Sequence, residues 1–364
     1  MAYADLYFGA SRTGKTTQIG VAAQRALRVY GSCPKCFTNG PTGALCPKCA
    51  GTTCMVGKPS RLVTADLGTL DCIQPQIDDG TIAVWNLKHH TNLIETIDKA
   101  CQGYWPEDVD DPGSKLMSPY VIRYAGKCPK CAEEITSGQP VQQHPCPKCK
   151  TITTFTMRRA TNPGNDLSKI ALIAFEGITS FGDGVLSHLL ATRASLSQDP
   201  SYVWKDGETD YAGGNMTYYG FLQQRLPEFI AKSTGLPVDD RIIWTALEGR
   251  GIDEASKAPI LGPLFTGGQG AAKLTGKAQA WFRHSLHFET VEKVTASTDG
   301  GPATMDIEYR MYIKPHADPM TKAVFACGLR VPRQFAKEFP AYMEPDVGKL
   351  YDKIDELQRR TQVK

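Results

Sequence analysis

The 364-residue chain lacks any long hydrophobic run and any strong excess of charge of one sign. No segment approaches the roughly 18 consecutive apolar residues that a membrane-spanning helix needs, and the chain starts without the charged and then apolar stretches of a signal peptide. We therefore expect a protein that has no membrane partner and stays in the cytoplasm. Its formal net charge is only +3, so a nucleic-acid site would have to be a local patch.

Close to its start, the sequence has a glycine-bounded loop of the form G-x-x-x-x-G-K-[ST]. An apolar strand pattern over Asp5 to Phe8 precedes it, and a helical pattern from Thr16 to Val29 follows it. In this motif backbone N–H groups surround the β-phosphate, the lysine reaches the β- and γ-phosphates, and the hydroxyl ligates Mg²⁺. The motif predicts a site for ATP and Mg²⁺, with Lys15 on the phosphates and Thr16 on the metal. The predicted nucleotide-binding residues are Gly9, Ala10, Ser11, Arg12, Thr13, Gly14, Lys15, Thr16 and Thr17.

The second strong signal is the arrangement of the twelve cysteines, because eight of them fall in four copies of Cys-Pro-Lys-Cys. Two such tetrapeptides supply the four thiolates of a closed, structural zinc site. Nine residues separate the first two copies and fourteen separate the last two, so pairing by sequence neighbourhood predicts two zinc ribbons and two Zn²⁺ ions. The predicted ligands are Cys33, Cys36, Cys46 and Cys49 in the first ribbon, and Cys128, Cys131, Cys146 and Cys149 in the second.

Other uses of the cysteines stay open at this point. Disulfides would need an oxidising compartment, against which the phosphate-binding motif and the missing signal peptide argue. Redox-active C-x-x-C pairs are a weaker alternative. Cys54 or His144 could substitute for one of the eight ligands, and buried thiols are the expectation for Cys54, Cys72, Cys101 and Cys327.

Two predicted core strands end in a carboxylate. The run from Lys169 to Glu176 is continuously apolar before its acid, as a central parallel strand should be, and the run from Arg61 ends at Asp66. At the phosphate site such an acid holds Mg²⁺ or polarises the attacking water, so Glu176 and Asp66 are candidate catalytic residues with Lys15. Solvent-facing strand ends are the alternative. A further predicted strand, from Arg241, ends in polar residues followed by Arg250, which could sense the γ-phosphate.

The alternation of strand and helix patterns predicts an α/β fold with a mostly parallel sheet flanked by helices. We expect a core over residues 1–342, interrupted by the first zinc ribbon at 32–57 and the second at 120–159, and a C-terminal helix over 343–364. Within the late core, the segment from Ala278 to Phe288 is amphipathic, and antiparallel strands are expected from Met305 to Ile313 and from Ala323 to Arg330.

Two features point to a nucleic-acid partner. From Gly126 to Ala160 the second ribbon carries about +4 before its zinc site is counted and about +2 with it, because six basic residues outnumber Glu133 and Glu134. The basic residues are Lys127, Lys130, Lys148, Lys150, Arg158 and Arg159. An aromatic-rich segment that we predict to be a loop could stack single-stranded bases, although such rings are as often packed beneath the loop. Its aromatic residues are Tyr202, Trp204, Tyr211, Tyr218, Tyr219 and Phe221. A solvated basic face is the alternative for the ribbon.

The order of these motifs resembles the RecA-like P-loop ATPases encoded by bacteriophages, some of which act in recombination or strand annealing. Beyond the glycine-rich loop, the resemblance rests on Ala171 to Ser180, Tyr219-Gly220, Ile242 to Arg250, Pro263 to Gly267, Trp281-Phe282, Tyr309 to Tyr312 and Gly328 to Arg330. It implies an ATPase that acts on DNA, single-stranded in particular, and that could form a homo-oligomer. The chain departs from the family in three ways: its second-motif acid is Glu176 and not Asp, Asp66 stands nearest the usual catalytic Glu, and the ribbons are additional.

Two other classes of function remain open. Thymidine kinases also combine a phosphate-binding loop with a four-cysteine zinc element, but they are shorter and carry an Asp-Glu pair that this chain lacks. A third possibility is a non-catalytic nucleotide- and zinc-binding assembly protein. A nucleoside phosphorylation assay distinguishes the kinase from an ATPase. ATP turnover with and without single-stranded DNA distinguishes the assembly protein from an ATPase.

Overall fold

The computed structural model describes the greater part of the chain. It covers residues 3–33, 35–36, 38–49, 55–66, 70–87, 93–106, 115–117, 121–137, 143–154, 156–160, 165–193, 203–206, 209–212, 215–253, 256–266, 269–295 and 304–362. No helix within these ranges is long and apolar enough to span a bilayer.

Twenty-three strands lie in the described residues. In chain order they are β1 Tyr3–Gly9, β2 Tyr30–Ser32, β3 Asn39–Pro41, β4 Val56–Gly57, β5 Ser60–Thr64, β6 Ile82–Asn86, β7 Lys115–Met117, β8 Val121–Lys127, β9 Glu134–Ser137, β10 Gln143–Pro145, β11 Ile152–Thr154, β12 Thr156–Ala160, β13 Leu172–Glu176, β14 Val203–Asp206, β15 Thr209–Ala212, β16 Arg241–Ile252, β17 Pro259–Pro263, β18 His284–Thr295, β19 Thr304–Tyr312, β20 His316–Ala317, β21 Val324–Phe325, β22 Gly328–Leu329 and β23 Tyr342–Met343.

Seven α-helices in the described part of the chain connect or cover these strands. They are α1 Lys15–Val29, α2 Gln74–Asp78, α3 Leu93–Cys101, α4 Ile178–Arg193, α5 Asn215–Thr234, α6 Gln269–Lys277 and α7 Val347–Gln362. Short 3-10 helices lie at Leu70–Ile73, Leu167–Lys169, Ala278–Trp281 and Arg333–Glu338.

Six parallel strands form the centre of the main sheet, in the order β18-β1-β16-β13-β5-β6. Antiparallel strands extend it at both edges, with β19 on β18 and β7 on β6. Every residue of β5 and β13 is buried, as expected for parallel strands that are covered on both faces. The prediction of a mixed α/β fold with a mostly parallel central sheet is therefore confirmed.

Helices cover both faces of this sheet, because some connections between its strands pass over one face and others pass over the opposite face. Alternate residues of β1 point to opposite faces: Leu6 and Phe8 pack with residues of α3, α4 and α5, whereas Tyr7 packs with residues of α1, α2 and α7. The connection after β1 therefore leaves towards one face, and the connection after its neighbour β16 leaves towards the other. In open α/β sheets, ligands bind outside the carboxyl ends of strands at such a point.

The C-terminal helix packs on the first helix of the core. Buried Arg25 of α1 forms ion pairs with Asp240, which precedes β16, and with Asp352 and Asp355 of α7. Gln18 joins the two helices at the other end, where its side chain accepts a 3.0 Å hydrogen bond from the backbone N–H of Val347. The C-terminal helix is thus an integral part of one face of the sheet.

Two small modules interrupt the core. The first contains β2, β3 and β4 and lies between α1 and β5; the second contains β8 to β12 and lies between β7 and β13. In the second module β8 pairs with both β9 and β12, and β10 pairs with β11. These are the regions in which the cysteine tetrapeptides predict zinc ribbons.

Two local predictions were wrong, and a third segment has a structure that its amphipathic pattern did not specify. That segment, from Ala278 to Phe288, is divided between a 3-10 turn and the start of β18, which pairs in parallel with β1. The segment from Ala323 to Arg330 forms two strands of two residues each instead of one continuous strand. Cys72, expected to be a buried thiol, is exposed, whereas Cys101 and Cys327 are buried.

Candidate functional site

The glycine-rich loop, residues 9–16, joins β1 to α1 and depends on both of its glycines. Gly9 lies so close to β18 that an added Cβ would come within 2.1 Å of the carbonyl oxygen of Phe288. Gly14 adopts a left-handed conformation with φ of 87° and directly precedes α1. The loop therefore delivers the chain to the amino end of α1, where unpaired backbone N–H groups and the helix dipole favour an anion.

Lys15, the first residue of α1, folds back over the loop. Its Nζ donates hydrogen bonds to the carbonyl oxygens of Gly9 at 2.9 Å and Ala10 at 2.6 Å. Burial lowers the pKa of the Lys15 ammonium to about 8, and the carboxylates of Glu248 and Glu176 oppose that shift. Lys15 thus holds its charged group inside the concave side of the loop, where an anionic ligand would raise the pKa of the ammonium.

Thr16 and Glu176 meet above the carboxyl end of the sheet. The Thr16 hydroxyl donates a hydrogen bond to Oε1 of Glu176, the last residue of β13. Glu176 is buried, with 5% of its surface exposed. Gly177 follows in a left-handed conformation with φ of 90° and donates to the Thr245 hydroxyl of β16 at 2.8 Å. The predicted Mg²⁺ ligand and the predicted acid are therefore side by side.

Asp66 lies at the same edge of the sheet, just beyond β5. The register pairs Glu176 with Thr64, so Asp66 stands two residues beyond the partner of Glu176. The Thr64 hydroxyl accepts a 2.9 Å hydrogen bond from the backbone N–H of Asp66, and the Asn86 amide contacts its carbonyl oxygen at 3.4 Å. These contacts involve only backbone atoms of Asp66. The Asp66 side chain is half-buried.

A histidine that the sequence did not single out completes this edge. His287 of β18 is fully buried, and its Nε2 lies 3.1 Å from Oε2 of Glu248 on β16. Its signal in the sequence was weak, because it lies in a segment with no clear strand pattern. Arg250, the predicted phosphate sensor, is exposed two residues beyond Glu248, where β16 already pairs with β17.

A cavity of about 670 Å³ opens on the outer side of the loop. Its wall is formed by the loop and the first turn of α1, by exposed residues of β19, and by the chain just before α7. The lining residues are Arg12, Thr13, Gly14, Thr17, Gln18, Ile307, Glu308, Tyr309, Glu344 and Pro345. Ile307 and Tyr309 present apolar surface there, being about half exposed. The cavity is within the 300–1,000 Å³ typical of small-molecule sites.

The eight tetrapeptide cysteines form the two groups that sequence neighbourhood predicts. Within each group the four Sγ atoms all lie within 4.8 Å of one another. Sulfur separations are 3.4 Å for Cys36 and Cys46 and 3.6 Å for Cys33 and Cys49. Tetrahedral Zn–S bonds of 2.3 Å would place the sulfurs about 3.8 Å apart, whereas a disulfide would hold them at about 2.0 Å. Each group could therefore hold one zinc ion.

The second cysteine group also has the backbone of a zinc knuckle. The residues that follow its two Cys-Pro-Lys-Cys copies, Ala132 and Lys150, are left-handed with φ of 57° and 60°. Each donates its N–H to the carbonyl of the first cysteine of its copy, at 3.0 Å and 2.8 Å. The turn thereby brings both thiols of a copy to one side. Cys54, an alternative ligand, lies outside the described residues.

Four lysines of the second ribbon lie on its surface. Lys127, Lys130, Lys148 and Lys150 are exposed, and Lys148 lies 3.7 Å from Glu133 in an ion pair. On the backbone of β12, Arg158 is paired with Arg123 of β8, which adds a further basic residue to this sheet.

The aromatic residues do not form a single loop. Trp204 and Tyr211 are cross-strand neighbours in the β14–β15 hairpin, while Tyr218, Tyr219 and Phe221 lie on α5. Tyr218 and Phe221 are buried in the core, so both are excluded as base-stacking residues. Tyr202 lies outside the described residues. Tyr219 is half-buried, so it and the hairpin pair keep the predicted role open among the described residues.

Comparisons with known proteins do not assign a function to this site. No protein-family model matches the chain, and no curated protein matches it either.

Proposed function

We propose that the protein binds ATP with Mg²⁺ through the glycine-rich loop and hydrolyses it, as a P-loop ATPase of RecA-like type. One observation carries the proposal: the loop presents Lys15 and the start of α1 beside Thr16 and Glu176, at the point where neighbouring strand connections diverge. A phosphate chain needs backbone donors and a cation, and its metal needs oxygen ligands. All three lie together here.

The roles of the residues follow from their positions. The N–H groups of residues 10–16 and the Lys15 ammonium would neutralise the phosphates, so Lys15 exchanges its carbonyl contacts for phosphate oxygens. The Thr16 hydroxyl and the Glu176 carboxylate are in contact with each other. Together they would hold Mg²⁺, directly or through water. Asp66 remains a second candidate acid at the same edge.

We assign the nucleoside to the cavity outside the loop. Thr17 and Gln18 place it next to the amino end of α1, and the Tyr309 ring and Ile307 offer apolar surface for a base. Its volume of about 670 Å³ lies within the range of small-molecule sites. Arg12, exposed and left-handed at φ of 65°, lies at the rim between base and phosphates.

The test is ATP turnover by purified protein and by Lys15→Ala. Removing the ammonium should abolish turnover without unfolding the sheet, since Lys15 is only partly buried. Lys349→Ala is the matched control, because Lys349 is an exposed helical lysine of α7. Turnover retained by a folded Lys15→Ala protein would refute the assignment. Glu176→Gln should also lower turnover while folding is kept; if it does not, Asp66 becomes the acid.

We further propose that each four-cysteine group binds Zn²⁺ and that the second ribbon contacts DNA, single-stranded in particular. The support is the exposed lysines around a closed thiolate site. Replacing Lys148, Lys150, Arg158 and Arg159 together by Gln should weaken DNA binding for all sequences and flatten its salt dependence, because fewer counterions are released. Unchanged affinity and salt slope with intact zinc would make the ribbon an assembly element.

The same measurements separate the alternative functions. Phosphate transfer from ATP to a nucleoside would favour a kinase of the zinc-containing thymidine-kinase type. Nucleotide binding without turnover, with or without single-stranded DNA, would favour a non-catalytic assembly protein, and sedimentation would then show whether the chain forms a homo-oligomer. We place the ATPase first because acids and a lysine converge on the same edge of the sheet.

A further inference from the structure

A glutamate on the central strand β16 occupies a position that none of the roles above uses. β16 lies between β1, which carries the glycine-rich loop, and β13, which carries Glu176. The β1–β16 register ends at the pair of Gly9 and Leu247, so Glu248 is the first residue beyond it. The Glu248 side chain therefore starts between the end of β1, where the loop begins, and the end of β13, where Glu176 lies.

His287 fixes the direction of the Glu248 carboxylate. The His287 ring is stacked on Phe325, with centroids 4.0 Å apart, and lies 5.1 Å from the Phe8 ring. Because these rings enclose the imidazole, its Nε2 has a fixed direction, towards Oε2 of Glu248 at 3.1 Å. A carboxylate only accepts hydrogen bonds, so the imidazole carries its proton on Nε2 in this contact.

The two glutamates at this edge have different surroundings. Glu176 is buried and accepts the Thr16 hydroxyl, which suits a metal ligand. The Glu248 side chain is 36% exposed, and only one of its oxygens is engaged by His287, so water reaches it. Glu248 also opposes the effect of burial on the pKa of Lys15 more strongly than Glu176 does, which places it within electrostatic reach of the ammonium.

We propose that Glu248 is the general base of ATP hydrolysis and that His287 is its positioning residue. The inference rests on the proposed ATPase function. In the reaction, water attacks the γ-phosphorus and forms a new P–O bond, while the bond to the β,γ-bridging oxygen breaks and its electron pair leaves with ADP. The proton of the attacking water passes to Oε1 of Glu248, the oxygen that His287 does not contact. His287 donates to the other oxygen and so keeps the carboxylate aimed at the water.

Three substitutions and a control test this assignment in the full-length, zinc-loaded protein. Glu248→Gln keeps the shape and removes the base; His287→Phe keeps the stacked ring and removes the donor; His287→Gln restores a donor. The control is Glu292→Gln, an exposed glutamate farther along β18. ATP binding is measured by titration calorimetry, turnover by phosphate release, and folding by circular dichroism.

We expect Glu248→Gln to lower kcat by about 100-fold or more, the usual contribution of a general base, while ATP binds at least as tightly because a negative charge has been removed. His287→Phe should lower kcat by about tenfold with unchanged KM, and His287→Gln should recover part of it. Glu292→Gln should match wild type. The split between kcat and KM is what a purely structural role of His287 would not give.

Wild-type turnover in a folded Glu248→Gln protein would overturn the inference and leave the ATPase proposal intact. Equal loss of ATP binding and turnover in both His287 variants would also overturn it, because His287 would then support the loop and not the base. If wild-type protein binds ATP but does not hydrolyse it, the ATPase proposal and this inference fail together.

Discussion

The two glycines of the phosphate loop should respond very differently to the same substitution, alanine. At Gly9 the new Cβ would lie 2.1 Å from the Phe288 carbonyl oxygen. Because Cβ atoms in proteins do not approach other atoms more closely than about 3.0 Å, the surrounding backbone would have to move by nearly 1 Å. The obstacle is the backbone of β18, which is paired with β1 over five residues and also carries β19. Relief therefore requires the two central strands to separate.

At Gly14 the space is open, because among the described residues no atom other than those of its chain neighbours lies within 4 Å of the added Cβ. The cost there is conformational, since φ of 87° is left-handed. That strain is about 1–2 kcal/mol for one residue. For Gly9→Ala we expect about 3 kcal/mol or more, because overpacking against backbone adds to an unfavourable φ.

Urea unfolding of both variants, followed by circular dichroism, measures the difference. We expect Gly9→Ala to lose clearly more unfolding free energy than Gly14→Ala, and both to lose ATP binding. Equal stability losses would refute the inferred close packing of β1 against β18. A Gly14→Ala protein that binds ATP normally would show that the left-handed turn is dispensable for the loop.

Three further outcomes are expected. Elemental analysis should find two zinc ions per chain, and Cys131→Ser together with Cys146→Ser should remove one. Unfolding free energy should fall as pH drops from about 6.5 to 4, by up to about 3 kcal/mol, because burial lowers the pKa of His284 to about 4 while the unfolded histidine takes up a proton; His284→Asn should flatten this dependence. Arg25→Met should cost up to about 3 kcal/mol in urea, because the buried Asp240 loses its 3.1 Å contact with Arg25 and keeps only the longer 3.5 Å ion pair with Arg241 and the 3.4 Å hydrogen bond from Tyr30.

Specific results would contradict each of these. A single zinc ion per chain would mean that one cysteine group is vacant or that the groups share a site. A pH profile unchanged by His284→Asn would assign the acid sensitivity to other groups. An Arg25→Met protein as stable as wild type would show that Tyr7, Tyr351 and Arg241 hold α7 in place without that ion pair.

Features fixed by short stretches of sequence were predicted well. The grouping of the cysteines was confirmed, because C-x-x-C forms a knuckle within six residues and neighbouring knuckles meet through short connections. The mostly parallel sheet was also confirmed, since apolar runs such as β13 indicate burial on both faces. The functions of Lys15, Thr16, Glu176 and Asp66 stay predictions, although the structure brings Thr16 and Glu176 into contact.

Features that depend on distant pairing were missed. β18 is a central parallel strand, but its start carries three buried polar residues, His284, Ser285 and His287, which break the apolar run that marks such strands. Those histidines are buried because strands from other parts of the chain surround them, as Phe8 and Phe325 surround His287. No local pattern encodes such neighbours. For the same reason, Tyr218 and Phe221 seemed available to bases, whereas α5 buries both in the core.

The most direct test of the central claim is calorimetric titration of the full-length protein with a non-hydrolysable ATP analogue in the presence of Mg²⁺. We predict saturable binding of one nucleotide per chain, weakened when Mg²⁺ is omitted and abolished by Lys15→Ala but not by Lys349→Ala. Absence of saturable binding at about 1 mM analogue, where binding would be worth only about 4 kcal/mol, would contradict the claim that the loop is a nucleotide site.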